Sequence, residues 1–392
     1  MSRNLSESPT HLASVFIAAL WLLSSGSLSA MEFTTGVFLP VSINYDSNIQ
    51  MTNTDEESVT FYNVNPRLTV LGSDGINTIN FIGSVLFQRS SDEVISEDRK
   101  DPSLGLGWVR SFERGEFSLS TNYNKNSSRV TERRATGLIF NDGSVISRSY
   151  DAGIKYLISQ KLNLSSGLNY QQTRFTGAGL NDFNSKTFNS KLDYLYSEKL
   201  TPFVQFSISR FENETNTVTN VFANNLLANN TNSSGKSISK NLLGGFTYTT
   251  SPQLFYSVAY GVNHISSVGN GWIGNASINY TIDEQSTLVG TVARNVAPSG
   301  LGGFLKTDNL VLNYVYDINQ KNHVGADASW TITRDANNSD YKQLGANYTY
   351  DLNEDWGLRT YAQYRTLKAS TNINADAYLI GVSLSFNNPN LF

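Results

Sequence analysis

One regularity runs through this chain from Met31 to its end. Segments of about ten residues carry large apolar side chains at every second position, and the connections between them are short and long by turns. The last segment displays the pattern plainly: Tyr378, Ile380, Val382, Leu384 and Phe386 alternate with Leu379, Gly381, Ser383 and Ser385. A period of two places one set of side chains on each face of a β-strand. About eighteen such segments can be counted, the first near Gly36–Tyr45 and the last Ala377–Phe386.

The short connections include GSDG (72–75), RGE (114–116), SQK (159–161), SEK (197–199), DEQ (283–285), DINQK (317–321) and DLNED (351–355). Longer ones fall near 46–57, 90–100, 126–146, 176–184, 213–235, 266–271, 297–303, 335–340 and 368–376. A soluble sandwich or propeller gives no reason for this unbroken alternation. A closed sheet crossing a bilayer does, with tight turns on one side and large loops on the other.

Whether the greasy faces meet a protein core or lipid follows from three further features. The segments are long enough to cross hydrocarbon at a tilt. The apolar sets are too numerous to fill one interior. The opposite faces carry Asn, Ser, Thr and Gly, as in Asn163, Ser165, Gly167 and Asn169, rather than the Lys and Glu of a solvated exterior. The pattern therefore predicts an all-β fold, a transmembrane antiparallel up-and-down β-barrel of about eighteen strands, with sixteen as the alternative. Its short turns and both termini face the periplasm, and its long loops face outward. Tyr156, Tyr196, Tyr248, Tyr280, Tyr316 and Tyr350 all precede short turns, the level at which a ring with a polar tip suits the membrane boundary. Arg110 shares parity with Leu104, Leu106 and Trp108, so it must snorkel or sit beyond a bulge.

Residues 1–30 differ from the rest. An apolar core from Leu12 to Leu23 followed by small residues up to Ala30 reads as a secretory signal peptide, leaving 31–392 as the barrel. The charge balance of −4, without a long basic run, gives nucleic acid no footing. The sequence holds no cysteine, which excludes disulfides, thiolate metal sites and cysteine nucleophiles. Beyond residue 30 there are two histidines, His264 and His323, expected at opposite ends of the barrel, too far apart to share a site. No carboxylate pair, metal spacing or phosphate loop stands out, so no enzyme activity, cofactor or metal is expected.

For eighteen strands about 4.8 Å apart and tilted near 40°, the radius is on the order of 18 Å. Side chains cannot fill that width, so either a channel remains or loops fold in. Loops 126–146, with Arg129, Arg133 and Arg134, and 213–235 are long enough to plug it. Parity turns Arg67, Lys155, Lys191, Asp193, Asp327, Arg359, Tyr361 and Arg365 into the lumen. Their mixed signs argue against strong ion selectivity, and the amide and hydroxyl rows suit sugars.

The ending Gly381-x-x-Leu384-x-Phe386 resembles the terminal-strand signal by which the outer-membrane assembly machinery recognises barrels, with Phe392 a second candidate for its aromatic residue and Leu379 standing where a polar residue is usual. The hairpin unit Tyr-x-(aliphatic or aromatic)-(Ser or Asp)-x-x-x-Leu, repeated through the second half, and LIGVSLSF resemble the family of β-barrel porins encoded with exopolysaccharide export systems. That resemblance implies a Gram-negative outer-membrane conduit for an exopolysaccharide or capsular polysaccharide, serving biofilm formation and working with separate periplasmic polysaccharide-export and chain-length proteins. Outer-membrane lipid and lipopolysaccharide would surround it. A general or sugar-selective diffusion porin, and a surface adhesin or structural barrel, are the alternatives.

Overall fold

The computed structural model describes residues 31–137, 142–177, 180–213, 235–334, 338–369 and 373–390. The signal-peptide reading at 1–30, most of the 213–235 loop and Phe392 lie outside the described residues.

β1 (Glu32–Asp46) leads to β2 (Val59–Val64), β3 (Arg67–Ser73), β4 (Asn77–Ser90), β5 (Arg99–Phe112) and β6 (Gly115–Ser127). A helix, α1 (Ser128–Thr136), precedes β7 (Ser144–Ser159), β8 (Leu162–Thr176), β9 (Phe183–Tyr194), β10 (Leu200–Asn213) and β11 (Lys236–Ser251). The second half runs through β12 (Leu254–Ile265), β13 (Gly269–Thr281), β14 (Ser286–Ser299) and β15 (Gly303–Asn319). β16 (Asn322–Thr333), β17 (Ser339–Asp351), β18 (Trp356–Ala369) and β19 (Ile373–Asn388) complete it.

Apart from β2 and β3, consecutive strands pair antiparallel, and β19 returns to β1 with the register Val37↔Asn388 to Asp46↔Leu379. The sheet is closed. β2 and β3 are halves of one strand, since both pair with β1 and both with β4. The interruption falls at Asn65–Pro66, because Pro66 has no N–H to give the ladder; its carbonyl still accepts from the Val85 N–H at 3.3 Å. Counted as one strand, the two halves make this an eighteen-stranded barrel.

The short connections stay tight because Asp and Asn side chains bind their own turns. Asp74 accepts from the Ile76 and Asn77 N–H groups, Asp283 from the Gln285 N–H and the Ser286 hydroxyl. Asn319 and Asn353 do the same in their turns. These bonds, led by Asn77 at Asp74 and Ser286 at Asp283, hold both carboxyls below the usual carboxylate range. Register shifts at Leu157/Ser159, Thr249/Ser251 and Asp317/Asn319 all fall beside short turns.

At the opposite rim the strands run further than apolar alternation marks. Residues 269–271, 297–299, 339–340 and 373–376, expected in loops, are strand. Above the bilayer no lipid demands a greasy face, so hydrophobic alternation fades while hydrogen-bonded pairing continues.

Directly paired residues share a face, so one assignment fixes all. The face bearing Val41, Ile43, Tyr364, Tyr378, Ile380, Val382 and Leu384 is exposed along the outside of the cylinder. The face bearing Ser42, Asn44, Asp46 and Gly381 looks inward. Tyr156, Tyr248, Tyr280, Tyr316 and Tyr350 point outward near the short turns. Tyr196 does not: it lies in the turn after β9, and Tyr194 takes the strand-end place, paired with Leu162. Arg110 is outward and exposed at the short-turn end of β5, with an unbroken register, so it snorkels. Trp356 and Phe386 form an outward aromatic pair at the same rim, centroids 5.3 Å apart.

Candidate functional site

The long-loop mouth is narrowed from three directions. Ser127 caps α1 by accepting from the Val130 N–H, and Gly137 ends it at φ 69°, the left-handed conformation glycine adopts freely. From the end of β6, the helix reaches the far wall, where its last carbonyl, on Thr136, accepts from the hydroxyls of Thr333 and Ser339. Arg129 donates to the Ile95 carbonyl in the β4–β5 loop, and Ser96 donates to Asp142. Glu132 is buried, and loss of water pushes its carboxyl up to about 7. Burial acts on Arg129 in the opposite sense, lowering the affinity of its guanidinium for the proton. Thus the described part of the 126–146 segment does fold inward.

The loop after β1 supplies the second element. Met51, with 1% exposure, covers the inward-facing Tyr341, Leu367 and Ala377, and Asn48 donates to the Asp376 carbonyl. The third element joins the β14–β15 tip to the β8–β9 connection through the Asn181 N–H and the Gly300 carbonyl, 2.8 Å apart. Phe175, Phe183, Phe211 and Phe304 pack beside it.

Below this constriction the inner wall is polar, with rows of amides and hydroxyls. Asn122 donates to Ser149, Asn241 to Ser207 and Asn263 to Ser239. One recess of about 630 Å³ opens against β15–β18, lined by Asn313, Asp327, Gln343, Asn347, Arg359 and Gln363. Gln343 donates to Asp327 at 3.4 Å, and Gly345 leaves room for the Asp327 carboxylate, which a Cβ there would strike. The Arg359 guanidinium lies 5.6 Å from the Tyr361 ring centroid, and the Tyr361 hydroxyl donates to Asn44. Gly381 lies under that ring: a Cβ there would stand 2.5 Å from the Tyr361 hydroxyl and from Asn44 Oδ1.

The register places all eight residues picked by parity on the inward face, but it does not gather them into one site. Asp327 and Arg359 line the recess, with Tyr361 beside Arg359. Arg365, 1% exposed, stands nearer the mouth, ion-paired with Asp46. Lys155 binds Glu116 at 2.6 Å near a short turn. Lys191 binds Asp193 at 2.6 Å and lies 4.2 Å from the Phe203 ring centroid. Arg67 lies over Phe38, its guanidinium carbon 5.9 Å from the ring centroid. The sequence alone does not single out Asp46, Gln363 or Glu132, whereas Gln343 and Asn347 stand on the polar side of an alternating strand. Parity with Ser42 and Asn44 flags Asp46, and parity with Asp327 and Arg359 flags the amides; nothing in the pattern flags Glu132.

His264 faces outward and bonds Asn270 at 2.7 Å. His323 faces inward at the short-turn rim, between Asp317 at 2.6 Å and Asp351 at 3.1 Å. They sit at opposite ends of the wall. Of the terminal signal, Leu384 and Phe386 face outward, while Gly381 faces the lumen.

No family model matches the chain, and no curated protein does. Solved structures do. Over 91% of this chain, Pseudomonas aeruginosa OccK5 (OpdH) superimposes with 98% of its own length, 11% identity and a TM-score of 0.50. P. aeruginosa OccK3 (OpdO) superimposes with 96% of its length, 10% identity and a TM-score of 0.51; a second OpdO structure covers 97% at 0.52. Identities this low speak to fold. The chain has the fold of an outer-membrane β-barrel. The likeness agrees with the wall chemistry: a greasy exterior, a polar interior and loops gathered at one mouth. Nothing in it bears on polysaccharide export.

Proposed function

We propose that this barrel is a diffusion channel for small polar solutes, monosaccharides among them, rather than a wide conduit. One observation carries the reading: the recess of about 630 Å³ beneath a mouth narrowed by α1 and two inward loops. That volume lies within the range of small-molecule sites. Its lining offers amide donors and acceptors, one carboxylate and one guanidinium, with the Tyr361 ring near at hand. Such a wall exchanges hydrogen bonds with a polyhydroxylated solute step by step, each weak enough for release. Passage is passive and follows the solute gradient.

Liposome swelling provides the test. Proteoliposomes should swell in isotonic glucose or arabinose at a rate proportional to protein content, and Asp327→Ala or Arg359→Ala should change sugar rates more than glycine rates. Absence of swelling with every sugar of monosaccharide size, in protein of verified fold, overturns the proposal.

Polysaccharide export is the second reading, favoured by the repeated Tyr-led hairpin units. It requires α1 and the Met51 loop to withdraw, and it assigns driving force to separate periplasmic export and chain-length proteins. Deletion of the gene separates the two readings: polymer accumulating in the periplasm with unchanged sugar uptake supports export, and normal secretion removes it. In both, the Leu384 and Phe386 edge serves recognition by the barrel-assembly machinery.

A further inference from the structure

The outer wall of a barrel is ordinarily convex, yet here it is hollowed. A groove of about 720 Å³ crosses β4–β10 on the outside, lined by Ile79, Trp108, Leu119, Leu168, Phe188 and Ile208. These side chains lie along one hydrogen-bonding row, and Ala152 occupies its β7 position. In a barrel of tilted strands such a row climbs the wall. Ile79 is just above the short turn that opens β4, whereas Ile208 lies in the upper half of β10. The groove therefore rises from the periplasmic side toward the outer leaflet.

Cations crowd its upper end. Lys186 and Arg210 are paired across β9 and β10 and both line the groove; Lys240 is paired with Ile208. Arg148 and Lys236 face outward one step higher. Among the described outward residues of β7–β11, Glu212 is the one carboxylate, 2.5 Å from Arg210 and 3.8 Å from Lys236. Arg210 and Lys236 remain half-exposed or more, and Lys186 and Lys240 are exposed. Rings accompany them: Tyr150 and Tyr170 stack at 6.2 Å, with Lys186 5.8 Å from the Tyr170 centroid. The opposite wall is built differently. There Arg294 and Arg334 share Asp308, and Lys342 binds Asp340, so charge is cancelled within the protein.

We propose that the hollow wall over β4–β10 binds one phosphorylated, multiply acylated glycolipid of the outer leaflet. Its phosphates would meet Lys186, Arg210 and Lys240, and its acyl chains would lie down the climbing groove. Five cations set against the single carboxylate of Glu212 leave an excess of positive charge at the leaflet surface, which selects a polyanionic headgroup, and a groove spanning several strands holds more chains than a smooth wall contacts. This inference rests on outer-membrane location and on the outer face, not on what passes through the lumen.

The experiment uses the full chain purified in a nonionic detergent, incubated with hexa-acylated bisphosphoryl lipid A, exchanged into lipid-free detergent and analysed by native mass spectrometry. One lipid A per barrel should be retained. The Lys186→Ser/Arg210→Ser/Lys240→Ser variant should bind on the order of a hundredfold more weakly, at about 1 kcal/mol per surface cation. Ala152→Trp, which fills the groove with every cation intact, should also reduce retention, whereas Lys342→Ser/Lys368→Ser on the other wall should not. Heat-dependent gel mobility verifies that each variant is folded. Equal retention of dephosphorylated lipid A, displacement by an equal concentration of phosphatidylglycerol, or undiminished binding by both the triple variant and Ala152→Trp overturns the proposal.

Discussion

Glu132 should make the mouth of this barrel responsive to pH. Its carboxyl has an ordinary value of 4.5 and is pushed up to about 7 by burial in the docked α1. The docked helix therefore holds a proton that the free segment surrenders at lower pH. Docking is favoured while Glu132 is neutral and weakens as pH rises from 4.5 toward 7; above 7 the whole cost applies. Full ionisation costs about 3 kcal/mol, at about 1.36 kcal/mol for each tenfold change in proton affinity between 4.5 and about 7. Between about pH 5 and about pH 8 the change is about 2.5 kcal/mol, or roughly 70-fold in the ratio of undocked to docked helix. Single-channel recording in planar bilayers reads this as the ratio of open to closed dwell times. The ratio should rise steeply from pH 5 to pH 8 in the natural protein and stay flat, near its acidic value, in Glu132→Gln. A dwell ratio that moves less than about threefold across that range, or a slope that survives in Glu132→Gln, refutes the assignment.

Other outcomes follow from the same contacts. Because the chain contains no cysteine, Thr136→Cys/Ser339→Cys offers a clean crosslink of α1 to β17; oxidation should hold the channel in its low-conductance state and a reductant should release it. Arg365→Met strands the buried Asp46 carboxylate and should destabilise the mouth by about 3–5 kcal/mol, seen as a lower temperature of the heat-dependent mobility shift, with Asp46→Asn on the same chain restoring part of the loss. Gly381→Ala drives the Tyr361 ring from its place and should cost about 1–3 kcal/mol, and Tyr361→Ser in the same chain should recover the folded yield. Reversal potentials in asymmetric KCl should shift toward cation preference in Arg359→Ala and toward anion preference in Asp327→Ala.

The barrel was legible because a lipid-spanning strand must repeat its apolar side chains every second residue and because turn length alternates with the side of the membrane. The short connections were legible by position, and the structure adds that Asp74, Asp283, Asn319 and Asn353 bind the backbone of those turns. Strand ends beyond the bilayer were not legible, since Ser339, Asp340 and the 373–376 stretch pair through backbone groups that no side-chain pattern reports. Parity also sufficed to turn Asp327 and Arg359 inward. It could not tell that Arg365 on β18 meets Asp46 on β1 across the intervening β19, because that contact depends on register between residues at opposite ends of the sequence. Nor could it find Glu132: its burial arises when nine helical residues cross to Thr333 and Ser339, a consequence of tertiary docking. Gly381 carries two meanings at once. Within the terminal motif it reads as an assembly signal, and in the lumen it makes space for Tyr361.

The seam between β1 and β19 joins the first strand to the last through ten consecutive residue pairs. A chain still lacking its final strand thus has two open edges, each a row of unmet amide and carbonyl groups that hydrocarbon would not tolerate. Loss of a few residues from a loop leaves this circle intact, whereas loss of 373–388 leaves a ribbon. Insertion must accordingly wait for the finished chain or shield both edges until the two ends meet.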